Sequence, residues 1–506
     1  MSPNAEIVGR TAAAPGTALY DAVALRAIEA RAAAELGDAY VLMQRAGAAA
    51  WSELLNHWTR AFRLLVVCGP GNNGGDGYVL ATLARQSGRD VSVLRLPGHA
   101  PRSALARRAA AEYAQAGGAT LEFDGTLPAA DVVVDALFGI GLSRAPDAAS
   151  ADLIAAINAH PAPVLALDVP SGVDADSGQA HVAAVIAQRT LEFIAPKAGL
   201  RSGAALDHVG ALAVARLQLD PEHYGVEAVA EALGAADLGR WLRPRRRDSH
   251  KGRNGRVLCV GGDHGHGGAL LLCAQAALRS GAGLLDAATR AAHVAPMLAR
   301  LPEAMPRAVE SGEELAAAID AADVVAIGPG LGQQGWGRAL YARVLASAKP
   351  RLFDADALNL LAAQPRALPA DCVLTPHPGE AARLLGSAAA QVQADRFAAV
   401  RALVDRYGCA VVLKGAGSLI AAPQRRTRLI AAGNPGMAVG GMGDVLSGAI
   451  AALLAQGLDA FDAASCGALL HAVAGDEAAR EGGERGLLPS DLMPWLRRCA
   501  NPRGAA

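Results

Sequence analysis

The sequence predicts an α/β protein made of two doubly wound domains. Three observations carry this reading. Short aliphatic runs alternate with alanine-rich stretches of helical periodicity, glycine-rich loops follow the ends of those runs, and the rhythm stops and restarts near the middle of the 506-residue chain. Aromatic residues make up only 4% and glycines number 57, so the core must come from small aliphatic side chains and the backbone must turn tightly at many points. Hydrophobic residues at 52% against 19% charged exclude a disordered chain. The balance of 47 basic and 48 acidic residues argues against a general nucleic-acid binder or a membrane-surface protein.

Residues 19–58 carry helix periodicity through Leu19, Val23, Ile28, Leu42, Met43 and the run from Trp51 to Leu55. RLLVVC (63–68), DVSVLR (90–95), DVVVDALF (131–138) and PVLALD (163–168) read as buried parallel strands, and ALAVARL (211–217) closes the series. Residues 218–250 carry no strand pattern. The first domain is therefore set at 1–222 and a linker at 223–245, with the basic cluster Arg243, Arg245, Arg246 and Arg247 read as a solvated segment. The second domain, 246–506, restarts with strand candidates at 256–262, 283–289, 323–330, 351–356, 372–377, 410–415 and 427–433. A helical region, 444–480, begins at Asp444. The chain start lacks a charged-then-apolar leader, and no apolar run reaches the ~18 residues of a membrane span. Seven scattered cysteines with no CxxC read as reduced thiols of a cytoplasmic protein.

Ligands of open α/β sheets bind beyond the carboxyl ends of the strands, and the unusual residues of this chain sit there. The loop GPGNNGGDG (69–77) formally contains GxGxxG, but the strand at 90–95 ends in Arg95 where a dinucleotide site wants an acid. Asp76 would also place a negative charge beside a pyrophosphate. Amide oxygens and a carboxylate suit a cation instead, and Asn73, Asp135 and Ser171 occupy successive strand ends where they would converge on one monovalent ion. Asp168 stands at another strand end as an acid–base candidate. In the second half, KGAGS (414–418) offers Lys414 and backbone amides to a nucleotide phosphate, and GNPGMAVGGMGDVLSG (433–448) places glycines before a helix whose N-terminal amides suit an anion. Asp444, at that helix start, is placed to take a proton from a hydroxyl attacking a phosphate. No GxxxxGK[ST] occurs, which excludes a P-loop NTPase. Asp263, His264 and His266 lack the spacing of a zinc site and read as loop residues, and His471 reads as a helix residue of the core.

Over about residues 19–500 the chain resembles the bacterial bifunctional NAD(P)H-hydrate repair enzymes. The carriers in the first half are LMQRAG (42–47), GPGNNGGDG, DALFGIGL (135–142), LDVPSGVDADSG (167–178) and PKAGL (196–200). In the second they are HKGRNGRVLCVGG (250–262), AALRSGAGL (276–284), GPGLG (328–332), FDADALNLLA (353–362), LTPHPGEAARLLG (374–386), LKGAGS and GNPGMAVGGMGDVLSG. The resemblance implies a Rossmann-like epimerase domain fused to a ribokinase-like, ADP-dependent dehydratase domain that gives AMP and phosphate. The substrates would be hydrated NADH and NADPH (NADHX and NADPHX).

It further implies residue roles. Asn72, Asn73, Gly74, Gly75 and Asp76, with Gly139, Ile140, Gly141, Leu142, Ser143, Arg144 and Ala145, would hold the hydrate in the epimerase. Asn73, Asp135 and Ser171 would bind K+, and Asp168 would interconvert the R and S forms. Ala269, Gly332 and His377 would line the dehydratase site. Lys414, Gly415, Ala416, Gly417, Ser418 and Gly443 would bind the nucleotide, and Asp444 would contact the hydrate as catalytic base. Mg2+ is expected from phosphoryl transfer, with small molecules as partners and a homo-oligomer as the assembly. The chain departs from the family pattern at Gln188 and Glu192, where the family usually has an aspartate and a threonine, and at Val439, where a hydroxyl residue is usual. The competing reading is a ribokinase-type small-molecule kinase with a regulatory or scaffolding N-terminal domain.

Overall fold

The computed structural model describes residues 7–8, 16–142 and 144–502. They form two compact units, one built on Ala18–Ala230 and one running on from Glu231.

In the first unit the aliphatic runs form a sheet in the order Ile7–Val8, Ala211–Ala215, Arg189–Phe193, Val164–Leu167, Val132–Ala136, Arg63–Cys68, Asp90–Arg95, Thr120–Glu122. All neighbours run parallel except the first pair. From Arg63–Cys68 the chain winds outward one way, then returns beside it at Val132–Ala136 and winds the other way. The strand order therefore reverses between these two strands, which is where such sheets open a crevice. Central strands buried on both faces explain why they read as unbroken aliphatic runs rather than alternating ones.

The 19–58 stretch divides into two helices, Ala22–Leu36 and Tyr40–His57. Asp21 caps the first by accepting from the Ala24 N–H at 2.8 Å. Gly37 ends it in the left-handed conformation, φ 76°, with its N–H on the Ala33 carbonyl. The glycine-rich segment 69–77 also differs from a simple loop. Its second half is already helix, Asn72–Gln86. Glycine at 74 answers a close approach, since a Cβ there would lie 2.0 Å from the Gly69 carbonyl oxygen. The strand Arg189–Phe193 escaped sequence reading because its polar residues, Arg189, Thr190 and Glu192, break the aliphatic run.

The second unit repeats the plan. Its sheet includes, in order, Met305–Ala308, Leu284–Thr289, Arg256–Val260, Val324–Ile327, Arg351–Phe353, Cys372–Leu374, Ala410–Leu413, Leu419–Ala421, Thr427–Ile430 and Ala230–Leu233. The order reverses between Arg256–Val260 and Val324–Ile327. The last strand corrects the sequence reading, because it lies within the segment 223–245 taken as a patternless linker. Its short AEAL run pairs beside Thr427–Ile430 and is too brief to show as an aliphatic stretch. The 444–480 helical region is two helices, Met442–Ala455 and Ala460–Gly482, separated at Gly457 with φ 94°. All seven cysteines are free thiols and six are buried. Among the described residues no helix is long and apolar enough to cross a membrane.

Because the Gly69 carbonyl cannot retreat without disturbing the strand end, Gly74→Ala is expected to destabilise the first unit by about 1–3 kcal/mol. Urea denaturation followed by circular dichroism checks this.

Candidate functional site

The reversal point of the first sheet opens into a cavity of about 600 Å³. Asn72, Asn73, Asp76, Gly139, Ile140, Gly141, Leu142, Arg144 and Asp168 all line it. Three other predicted residues are placed differently. Gly74 and Gly75 pack inward, against the Gly69 backbone and Met43 respectively, because the helix start must sit close under the strand end. Ala145 is exposed outside the cavity. Ser143 lies outside the described residues.

Asp168 directly follows the strand Val164–Leu167 and holds φ 67°, left-handed for a residue with a side chain. Such a conformation costs about 1–3 kcal/mol and persists only where the surroundings hold it. Here its N–H donates to the Leu191 carbonyl at 2.7 Å, and its carboxylate lies 2.7 Å from the Lys197 ammonium. Lys197 is buried and also donates to the Phe193 carbonyl at 3.1 Å. Two further carboxyls face this pair. Burial, then the charges of Asp168 and Glu29, push Asp76 well above the ordinary carboxylate range. Glu29 is also raised, by burial first and by Asp168 next, against the pull of Arg26 and Lys197. These surroundings favour the neutral form of Asp76 over the anion that the sequence reading assumed.

The proposed cation ligands meet beneath the cavity. Ser171 Oγ lies 2.7 Å from Asp135 Oδ1, and the Ser171 N–H donates to Asp135 Oδ2 at 2.8 Å. Burial pushes Asp135 up to about 6 despite these bonds. Asn73 donates through its amide nitrogen to the Phe138 and Leu167 carbonyls, at 2.9 and 3.1 Å, which leaves its buried Oδ1 with no hydrogen-bond partner among the described residues. A buried carboxylate, a hydroxyl and an orphaned amide oxygen are a donor set that fits a hard monovalent cation.

The departures from the family pattern are built into this wall. Gln188 accepts the Val164 N–H through its side-chain oxygen. Glu192 is fully buried, pairs with Arg201 at 2.7 Å and accepts the Lys197 N–H at 2.6 Å, so it fixes the backbone that carries the active-site lysine.

In the second unit Lys414, at the end of Ala410–Leu413, lies 2.7 Å from Asp354 and 3.7 Å from Glu380. Burial opposes its charge, but these carboxylates outweigh burial and raise its pKa. Ser447 donates to the other Asp354 oxygen at 2.8 Å. Gly443 fits against this knot, since a Cβ there would meet Lys414 Nζ at 3.2 Å. Asp444, in the first turn of Met442–Ala455, is pushed up to about 7 by burial and then by Asp354, with Lys414 pulling the other way. His377 caps the helix Pro378–Leu385, accepting the Gly379 N–H at 3.0 Å. Burial, then Lys414 and Arg383, hold its pKa low.

The remaining predicted residues frame the same carboxyl edge. Gly415 and Gly417 hold φ of 140° and 64°, with Ser418 donating to the Gly415 carbonyl at 2.9 Å across Ala416. Ala269 and Gly332 flank the reversal point of this sheet, near Gly330 and Asp263 respectively. Asp263 pairs with Arg290 at 2.8 Å, as a loop residue would. Four chemistry-bearing residues were missed from sequence: Glu29, Lys197, Asp354 and Glu380. Three sit inside quoted motifs, PKAGL, FDADALNLLA and LTPHPGEAARLLG, while nothing in sequence separates Glu29 from Glu35, the other acid of its helix.

Residues 257–498 match the family described as NAD(P)H-hydrate dehydratase, and residues 39–199 match the family described as YjeF-related protein N-terminus. The chain is 46% identical over 483 residues to the bifunctional NAD(P)H-hydrate repair enzyme of Escherichia coli K12, covering 94% of this chain and 93% of that one. It is 46% identical over 494 residues to the same-named enzyme of Coxiella burnetii, covering 96% and 100%. Among solved structures, a ribokinase-like superfamily protein from Enterococcus faecalis superposes with a TM-score of 0.50 at 31% identity, covering 54% of this chain and 97% of that one.

Removing the lysine of the first site would strand a poorly hydrated carboxylate. Lys197→Met is expected to cost the first unit about 3–5 kcal/mol, because Asp168 loses its cation in a largely buried setting. A shift of the urea midpoint for the first unit's transition checks this.

Proposed function

The chain belongs to the family of bifunctional NAD(P)H-hydrate repair enzymes, with an epimerase half and a dehydratase half, and we propose that each cavity edge carries one of the two reactions on the same damaged cofactor. The observation that carries this reading is the paired build. Each unit sets a lysine-bound aspartate among further carboxyls at the reversal point or carboxyl edge of its sheet.

In the first unit Asp168 is the acid–base residue that interconverts R and S hydrates. Asn72, Asn73, Asp76, Gly139 to Leu142 and Arg144 hold the hydrate. Asn73, Asp135 and Ser171 would hold K+, which supplies the positive charge that a buried carboxylate and an unsatisfied amide oxygen call for. In the second unit the substrate is the S-hydrate, lined by Ala269, Gly332 and His377. Lys414 to Ser418 and Gly443 hold the nucleotide, ADP, with Mg2+ carried chiefly by its phosphates, as that ion usually is. No cluster of three acidic, histidine or cysteine side chains offers a ready cage among the described residues.

A hydroxyl leaves poorly at neutral pH. Asp444 takes its proton as the oxygen attacks the terminal phosphate of ADP and AMP departs; the carbon–oxygen bond then breaks, phosphate leaves, and the neighbouring ring carbon gives up a proton to solvent so that the dihydropyridine is restored. The epimerase keeps this supplied from the R form. Seven free thiols support a cytoplasmic setting for this chemistry.

The test is recovery of NADH absorbance from S-hydrate plus ADP. A stable phosphorylated product with no absorbance gain would instead favour a kinase. Asp444→Ala is expected to lower dehydration by about 100-fold or more. Since the base form of Asp444 is populated above about 7, the wild-type dehydration rate should climb through that pH and level off on the alkaline side. Replacing K+ by Na+ is expected to slow epimerisation and leave dehydration unchanged, as read by chromatography of R and S hydrates.

A further inference from the structure

We propose that Glu29 is a second catalytic residue of the epimerase cavity, acting as proton donor to the hydrate hydroxyl while Asp168 serves as the opposing base. This rests on the epimerase reading above.

Glu29 enters the cavity from the helix Ala22–Leu36, whereas Asp168 enters from a strand end, so the two carboxyls reach the bound ring from different elements. No hydrogen bond or ion pair holds the Glu29 carboxyl among the described residues. A half-buried carboxyl kept for structure would have such a partner. Its charged surroundings are Arg26 on its own helix, Asp168 and Lys197 from the sheet edge, and Asp76 from the helix Asn72–Gln86; Arg144 completes the rim. The Lys197 ammonium is already committed to Asp168 at 2.7 Å and Arg26 donates to the Ile140 carbonyl at 3.1 Å, so neither forms an ion pair with Glu29, and burial favours its protonated form. Asp76 is more deeply buried and more strongly pushed toward neutrality, so it suits a fixed hydrogen-bond donor rather than a group that cycles its proton.

Hydration of the nicotinamide ring leaves a hydroxyl on the carbon beside the ring nitrogen. Glu29 gives its proton to that oxygen as the carbon–oxygen bond breaks. The bonding pair leaves with the oxygen, water departs, and the ring nitrogen lone pair forms a carbon–nitrogen double bond bearing the positive charge. Water then adds to the same carbon from the other face, its oxygen lone pair forming the new bond while the nitrogen recovers its own pair. Asp168 takes the proton that this water releases. The product is the opposite epimer, no oxidant or reductant is used, and the proton passes back to Glu29 through solvent. The reverse reaction exchanges the two roles.

The experiment uses the full chain, purified R-hydrate and no nucleotide, so that the dehydratase is idle, and follows R and S forms by chromatography. Glu29→Gln keeps the shape but has no proton to give. Its kcat for epimerisation should fall by about 100-fold, with KM changed by less than about threefold. Its dehydration of S-hydrate with ADP should match wild type. Wild-type epimerisation should decline on the alkaline side as the acid form of Glu29 is lost, and E29Q should lack this limb. Glu29→Asp decides the matter if E29Q fails to fold: it should restore part of the rate and displace the limb. An E29Q rate within about threefold of wild type, or a limb unmoved in E29D, overturns the proposal. A wild-type chain that does not epimerise the R-hydrate overturns the epimerase reading instead.

Discussion

Each half of this protein depends on one lysine paired with an aspartate at a strand end. Lys197 and Lys414 both lie 2.7 Å from an aspartate at a strand end, and each stands among three carboxyls: Asp168, Glu29 and Asp76 in one unit, Asp354, Glu380 and Asp444 in the other. Several carboxyls cannot share a poorly hydrated pocket as anions. Each lysine pairs with one of them, and burial, more than any neighbouring charge, raises the others above their ordinary values. Carboxyls pushed upward by different amounts are what acid–base chemistry uses. The ion pair and the burial around it thus bear on proton transfer as well as on local packing.

The fold makes this placement possible. In both units the chain leaves the first strand, winds to one edge, and returns on the other side of that same strand. The loops that part company there leave space at the carboxyl ends, so residues far apart in sequence converge. Asp76, Asp168 and Lys197 come from a helix start, a strand end and a later loop, and no local element could bring them together. The close backbone approaches at positions 74 and 443 belong to the same constraint: the loops must lie near enough to share a ligand, and a side chain would hold them apart.

Much of this was legible in sequence, for physical reasons that differ by residue. Parallel strands buried on both faces write themselves as aliphatic runs, so Arg63–Cys68 and Val132–Ala136 are plain to read. Asp135 and Asp168 stand out because an acid closing an aliphatic run has few structural uses, and Asp444 because it opens a helix after a glycine-rich loop. The rest was hidden where the signal is tertiary. Arg189–Phe193 looks polar because Glu192 is satisfied by Arg201, a partner nine residues later. Ala230–Leu233 looks like linker because its four residues, AEAL, are few and include a glutamate. Lys197 reads as a surface lysine until its burial is known, and Glu29 is one of two acids on its helix until the cavity shows which way that helix faces. The upward push on Asp76 is hidden for the same reason, since burial is not written locally.

The left-handed backbone of Asp168 has a consequence for how this site is able to change over generations. Only glycine, asparagine and aspartate enter that conformation cheaply. Most single-step replacements at position 168 therefore strain the main chain as well as removing the carboxylate, and are purged for folding before their effect on chemistry is felt. Asparagine and glycine are the exits that keep the backbone. A descendant that has lost epimerisation through position 168 and still folds should carry one of those two residues.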